Sequence, residues 1–429
     1  MQTAEPDAPD HVDDAPWPPE RTGRRRPSWA HRRRGRRWPR VVAAGILIVL
    51  AVPMVSLARA EMASNNLTAG ERAAEWARDN HLGGIVNKVE NWWYSGHAPK
   101  QGGEPDRAIG TDAPPTATDP SPTSAGPTTA HLPAPASVAV PDGVTPVPGE
   151  GQWQAVGPLV GGAPAVYTTQ VRPDSVHTSL LAGLAWMDPQ LLRFEFHPGT
   201  TEPGGKWAEP SQVPVNQRLD LVAAFNSAFR MQDARGGVYL DGTTKGHLRD
   251  GAASLVLYKD GSATVGQWGR DVTMTPDVAA VRQNLDLIID NGGGPPNLAG
   301  RPVAGAAPGV SAAGLDDNSN GAWGSTLGNK VLVWRSAVCV TGSGALVYGY
   351  GDGLGALSLA ELMQRAGCVR AMELDINKSW TTFDLYGAQA FGDPSSVHGV
   401  KLLPEQQKGA DRYLSSDARD FIAAFVRHP

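Results

Sequence analysis

Residues 370–380 read RAMELDINKSW. Ala371, Met372 and Leu374 suit a buried strand, and the stretch then breaks into a polar turn at Asn377, Lys378 and Ser379. Asp375 closes the strand. A carboxylate there stays in the fold only if something pairs with it, because burying an unpaired charge is costly. Two readings are open: a strand-end Asp that caps the next turn, or a carboxylate placed at a strand mouth for chemistry.

Upstream, Ser358-Leu-Ala-Glu361 has the pattern of a capping box, with Ser358 as N-cap. Leu359, Leu362, Met363 and Ala366 fall at helical spacing, and Gly367 follows as the terminating glycine. Before that helix, residues 330–340 and 345–350 read as two strands joined by a Thr-Gly-Ser-Gly turn. The unit is strand, hairpin strand, helix, strand. Arg335 lies inside its first apolar run, where a guanidinium needs a partner.

These motifs, in this order, resemble the C-terminal half of phosphodiester glycosidase domains, relatives of the enzyme that uncovers mannose 6-phosphate tags. The likeness rests on Trp334-Arg-Ser-Ala337, the Gly-rich hairpin, the Ser-Leu-Ala-Glu-Leu-Met helix and Ala-Met-Glu-Leu-Asp375, with Asn226-Ser-Ala-Phe229 earlier. It spans residues 215 to 390. Two departures stand out. The family has three glycines after the Asp where this chain has Ile376, Asn377 and Lys378, although Asp375 and Ser379 align. The second Phe of the earlier motif is Arg230. A Gly-rich loop lets backbone approach a ligand closely, so its replacement implies a changed substrate or a lost reaction.

The chain has 429 residues, 50 of them Gly and 36 Pro, and a net charge of −5 that argues against nucleic acid as a general partner. That average hides an asymmetry. Residues 1–20 are acidic and Pro-rich without apolar periodicity, so disorder is expected. Ten Arg residues crowd 21–40. An apolar run, VVAAGILIVLAVPMVSLA, follows at 41–58 and meets the lower limit for a membrane span. Positive residues stay on the cytoplasmic side, so residues 1–40 are expected inside, 41–60 as a transmembrane signal anchor, and the C-terminal part outside. Ala58-Arg-Ala60 also resembles a cleavage site, and the 40-residue leader favours an uncleaved anchor. The 29 Arg against 9 Lys point to a high-GC organism, and we expect a bacterial cell envelope.

Residues 61–96 form the next segment. Thr68-Ala-Gly-Glu71 is a second capping box opening an amphipathic helix, which either meets the membrane interface or packs on the globular part. Residues 97–148, rich in Pro, Thr, Ser and Ala, read as an extended linker. Residues 149–429 form the globular domain. Strands are expected at 179–186, 191–196, 219–225, 254–258, 263–267 and 285–289. A short helix is expected from Thr275-Pro-Asp277 and a last helix from Ser416 carrying Phe421, Ile422, Phe425 and Val426. The fold class is α+β: a mixed sheet with hairpins and a few short helices, preceded by one transmembrane helix.

Cys339 and Cys368 are the only cysteines. They pair if their strands are neighbours, and otherwise are two buried thiols. No Cys/His spacing reads as zinc, no cofactor is expected, and Ca²⁺ on Asp290, Asn291 or Asp375 has no support beyond residue type.

The family resemblance implies cleavage between an anomeric carbon and a phosphate oxygen, in a sugar-phosphate or envelope glycan. Such a reaction needs donors on the phosphate, for which Arg335 is the expected bidentate clamp. It also needs a carboxylate near the anomeric centre, for which Asp375 is expected, with Glu373 two residues away on the same face. Asn226 is expected to orient sugar hydroxyls. Asp290 and Asn291 end another strand and are expected to face the same cleft. Lys378 and Ser379 are expected to line its loop. The competing expectation is an inactive envelope-binding or scaffolding protein on the same fold.

Overall fold

A computed structural model describes residues 51, 53–62, 67–82, 85–86, 99–110, 129–292, 323 and 332–428. Its strands form three sheets. The largest has seven strands, in the spatial order β1 (Gln154–Val160), β2 (Ala163–Val171), β3 (Ala182–Met187), β13 (Leu346–Leu354), β12 (Val333–Thr341), β14 (Cys368–Glu373) and β11 (Leu287–Ile289). A five-stranded sheet runs β16 (Val397–Lys401), β15 (Phe383–Ala388), β5 (Leu221–Asn226), β17 (Phe421–Val426), β4 (Leu192–His197). A second runs β7 (Thr243–Lys245), β6 (Val238–Leu240), β10 (Val278–Gln283), β8 (Ala253–Tyr258), β9 (Ala263–Gln267). The helices are α1 (Ala69–Asp79), α2 (Met231–Ala234) and α3 (Ala356–Arg365), with short 3-10 turns elsewhere. Strands with a few short helices agree with the α+β expectation. The ladders between these strands are all antiparallel, where a mixed sheet was expected.

Strand alternation sorts the large sheet into two faces. Met187, Val338, Leu346, Tyr348 and Met372 face the main core, shared with Phe196, Phe225 and Ile422 of one small sheet and Leu255 and Val265 of the other. Leu184, Cys339, Val347 and Ala371 face the other way, against Leu359, Leu362 and Met363 of α3. The helix lies close. A Cβ at Gly349 would sit 2.5 Å from Met363 Sδ, so only glycine fits beneath it. Cys339 and Cys368 lie on the neighbouring strands β12 and β14 and are joined in a disulfide, with their Cα atoms 5.7 Å apart.

Several elements differ from expectation. Ser358 does not start α3. Gly355 is the N-cap, and the Ser358 hydroxyl reaches back to accept its N–H at 2.9 Å. Residues 275–277 make a turn, with Val278 N–H donating to Thr275 O, and lead directly into β10. Pro at the second residue of a turn gives the same local signal as Pro at a helix start. Residues 421–426 are a central strand rather than a helix. FIAAFV is a six-residue apolar run, whose periodicity fits either state, and pairing with β4 and β5 decides it.

The boundary expected at 149 moves towards the N-terminus. Of the expected linker, 97–98 and 111–128 lie outside the described residues, and the rest packs on the domain. Val138 is buried among the residues beneath α3, Leu132 N–H donates to Asp188, and Arg107 bridges Glu405 and Gln170. Of the apolar run 41–58 that was expected to cross a membrane, residues 41–50 and 52 also lie outside the described residues. Among those described, no helix is long and apolar enough to span a bilayer.

Candidate functional site

Asp375 lies two residues past the last regular position of β14, and the chain there is still pinned. Ser336 N–H donates to Asp375 O, and Ser336 Oγ both donates to that oxygen and accepts Asp375 N–H at 3.1 Å. Asn226 holds Ser336 in turn, donating to its Oγ at 3.1 Å. The Asn226 side chain also donates to Ser227 O and accepts from Tyr348 Oη and Thr382 N–H. Its amide is therefore occupied by the protein. Asn226 fixes the Asp375 backbone instead of meeting a sugar.

The Asp375 carboxylate is 4% exposed. One oxygen accepts Asn377 N–H at 2.9 Å and the other accepts Arg419 Nη2 at 3.0 Å. Burial pushes the carboxyl up to about 6, while Arg419 and the loop amides pull it down and Glu75 pushes it up. Arg419 is held from both sides. Asp417 accepts its N–H and is clamped by Arg412, while the next residue, Asp420, pairs with buried Arg282 at 2.6 Å. Arg419 also donates to Ala228 O, and its Nε has no hydrogen-bond partner among the described residues.

Trp380 closes the loop that Asp375 opens. Arg419, Lys408 and Arg412 sit over its ring at 4.9, 5.4 and 5.6 Å. Arg230 pairs with Glu202 at 3.3 Å nearby. A carboxylate, an indole and several cations therefore share one cleft.

The acidic face of α1 occupies that cleft. Glu71 pairs with Lys408 at 2.5 Å, Glu75 with Arg230 at 3.3 Å, and Asp79 also with Arg230. Leu67, just before the helix, packs on Trp380 and Ala418. An open cleft of about 550 Å³ lies elsewhere, lined by Trp334, Asp352, Arg107 and Glu405 among others. At Asp375, by contrast, the 67–79 segment packs over the loop.

The remaining expected site residues divide. Ser379 is in the cleft loop, bonded to Asn377 and Gln407 and close to Glu71. Lys378 is in the same loop, near Asp352, whose carboxyl is pushed up by burial against the smaller opposing pull of Lys378. Arg335 cannot serve as the expected phosphate clamp. It is fully buried, donates to Glu373 at 2.5 Å and binds the Leu354 and Trp323 carbonyls. Burial pushes Glu373 up to about 7 against the pull of Arg335. Glu373 and Arg335 are thus a sealed structural pair, apart from the Asp375–Arg419 pair. Asp290 and Asn291 do not face the cleft. β11 runs antiparallel to β14, so they lie beside Val369, at its opposite end, where Asp290 pairs with Arg270 at 2.6 Å. Asn284, before β11, reaches the Asp375 end instead and donates to the Glu373 and Leu374 carbonyls. Among the described residues, no group of three or more His, Cys, Asp or Glu is placed to hold a metal.

Sequence reasoning missed Arg419, Lys408 and the role of Trp380. The one available signal was Arg419-Asp420 before an apolar run, a charged pair that needs partners once that run is buried.

No family model and no curated protein matches the sequence. Among solved structures, the chain is similar to the zebrafish N-acetylglucosamine-1-phosphodiester alpha-N-acetylglucosaminidase catalytic domain, described as auto-inhibited by its pro-peptide. Identity is 15%, coverage 61% of this chain and 82% of that one, and the TM-score 0.36. It is also similar to a hypothetical protein from Synechocystis, at 13% identity over 62% of this chain and 63% of that one, with a TM-score of 0.32.

Proposed function

We propose that the Asp375 cleft hydrolyses a glycosyl phosphodiester in an envelope glycan or glycolipid. We further propose that residues 41–58 anchor the chain in the cell membrane with this domain outside. The observation that carries the reading is the buried Asp375 carboxylate, held by Arg419 beside Trp380 in a cleft rich in cations. The residue pattern shared with phosphodiester glycosidases supports the same chemistry.

In this reading Asp375 acts as a carboxylate and takes a proton from the attacking water. The water oxygen bonds to the anomeric carbon, the bond from that carbon to the phosphate oxygen breaks, and the phosphate leaves as a monoester anion. Arg419 orients Asp375, and its unpartnered Nε is a donor available to a phosphate oxygen. The occupied cleft and the Ile376-Asn377-Lys378 loop favour the second reading, a binding protein without turnover.

The test is release of free sugar from UDP-N-acetylglucosamine and simple sugar 1-phosphate diesters by the full-length protein. Asp375→Asn should lower the rate about 10²-fold or more, the usual scale for losing a general base. An unchanged rate removes Asp375 from the mechanism. No release from the wild type, with the diesters still bound, replaces hydrolysis by the binding reading.

A further inference from the structure

The open cleft beside β12 and β13 has no part in the hydrolysis argued above. Its volume of about 550 Å³ falls within the usual range of small-ligand sites, about 300–1,000 Å³. The 100–107 segment lines it and is fastened to the domain. Gly102 N–H donates to Val176 O at 2.7 Å, and Thr178 Oγ donates to Gly103 O at 2.7 Å. Arg107 donates to Glu405 at 2.7 Å and to Gln170 at 2.6 Å. The cleft is therefore preformed, which lowers the cost of binding. Asp352 is accessible within it, and its carboxylate is aimed by two donors, Gly353 N–H at 2.7 Å and the Trp334 side chain.

The lining narrows the ligand. Glu104, Asp106, Asp352 and Glu405 outnumber Lys100 and Arg107, which disfavours a polyanion. Among the described residues, no group of three or more His, Cys, Asp or Glu is placed to hold a metal. β12 and β13 are both interior strands, so they offer no free edge to an extended peptide. The cleft presents acceptors and the Ser179 hydroxyl beside half-buried Leu180 and Leu181. An uncharged sugar chain matches that surface: its hydroxyls meet the acceptors, and its C–H faces meet the leucines.

The cleft also adjoins the Asp375 loop. Glu405 lines the cleft, and Gln407, two residues on and so within about 7 Å along the chain, bonds Ser379. Lys378 lies near Asp352. The loop that departs from the family pattern thus borders the open cleft.

We propose that the open cleft is a carbohydrate-binding site for uncharged sugar residues flanking the phosphodiester, with Asp352 accepting their hydroxyls and Lys378 at the junction with the Asp375 loop. The choice of a glycan rests on reading Asp375 as the hydrolytic centre, and the inference deepens that reading. Sugars held here are remote from the bond that breaks, so their binding energy is available to position that bond. The preferred substrate is then a phosphodiester within a longer glycan, rather than a simple sugar 1-phosphate diester.

The test applies full-length protein to an array of uncharged tri- and tetrasaccharides of glucose, galactose, mannose, arabinose and N-acetylglucosamine. At least one should bind, and it should raise hydrogen-exchange protection in residues 100–107 and 403–406 of the wild type. Asp352→Ala should weaken that binding about tenfold or more, the scale of one hydrogen bond to a charged group. An array without a bound sugar overturns the proposal. So does a bound sugar that leaves protection of 100–107 and 403–406 unchanged, a measurement that needs no variant. Equal binding by the Asp352→Ala protein removes Asp352 from the site. Sugar bound in the open cleft without hydrolysis of any diester leaves this inference standing and removes the hydrolytic reading. Hydrolysis of simple diesters with no array sugar bound does the reverse.

Discussion

In the proposed hydrolysis Asp375 is the base, and its surroundings give it a pH signature. It faces Arg419 from the segment before β17, Glu75 from α1 and, more distantly, Glu373 on its own strand. Burial is the largest influence and holds the carboxyl at about 6, above the 3.8 of an ordinary Asp. A base must be deprotonated to act. The hydrolytic kcat/KM is therefore expected to rise with pH up to about 6 and to level off above it. A pH–rate profile between 4.5 and 8 checks this, and a profile flat across that range removes Asp375 as the base. Arg335 teaches the converse lesson. The sequence shows a charge inside an apolar run, and such a charge is either a clamp open to a ligand or half of a sealed pair. Only the position of Glu373, two residues before Asp375 on the adjacent strand, decides between them.

Among the elements, the β12–β13–β14 unit with α3 was the most legible. Its hairpin turn, the helix stop at Gly367 and the strand ending near Asp375 are local signals, and all three stand in the structure. The rest was hidden where tertiary pairing overrides local pattern. FIAAFV becomes a strand because β4 and β5 need a partner between them. Residues 129–148 look like a spacer by composition, yet a few apolar residues such as Val138 suffice to seat the segment. The disulfide needs strand adjacency that sequence does not supply. It ties β12 to β14 across a separation of 29 residues. Cys339→Ala/Cys368→Ala is expected to lower unfolding free energy by about 3 kcal/mol, the scale for closing a loop of this size. Urea denaturation of oxidised wild type beside the double variant measures it, and coincident transitions would mean the bond constrains nothing.

At the scale of the whole molecule, the expected anchor and the cleft make separate claims. Residues 41–58 are apolar enough by sequence to hold the chain in a bilayer. Alkaline carbonate extraction should leave the full-length protein in the membrane pellet, and Leu47→Asp/Leu50→Asp should move it to the supernatant. Wild-type protein in the supernatant would overturn the anchor without touching the cleft.

The order in which the cleft is made also follows from the chain. The acidic helix ends at Asp79, whereas Arg419 comes 340 residues later, just ahead of the strand that completes its sheet. At ribosomal speeds of about 5–20 residues per second, helix and cleft are separated by about 20–70 s of synthesis. The carboxylates are already waiting when the cations come together. Each new copy therefore completes the Arg419 side of this contact only after the helix that packs on it has left the ribosome.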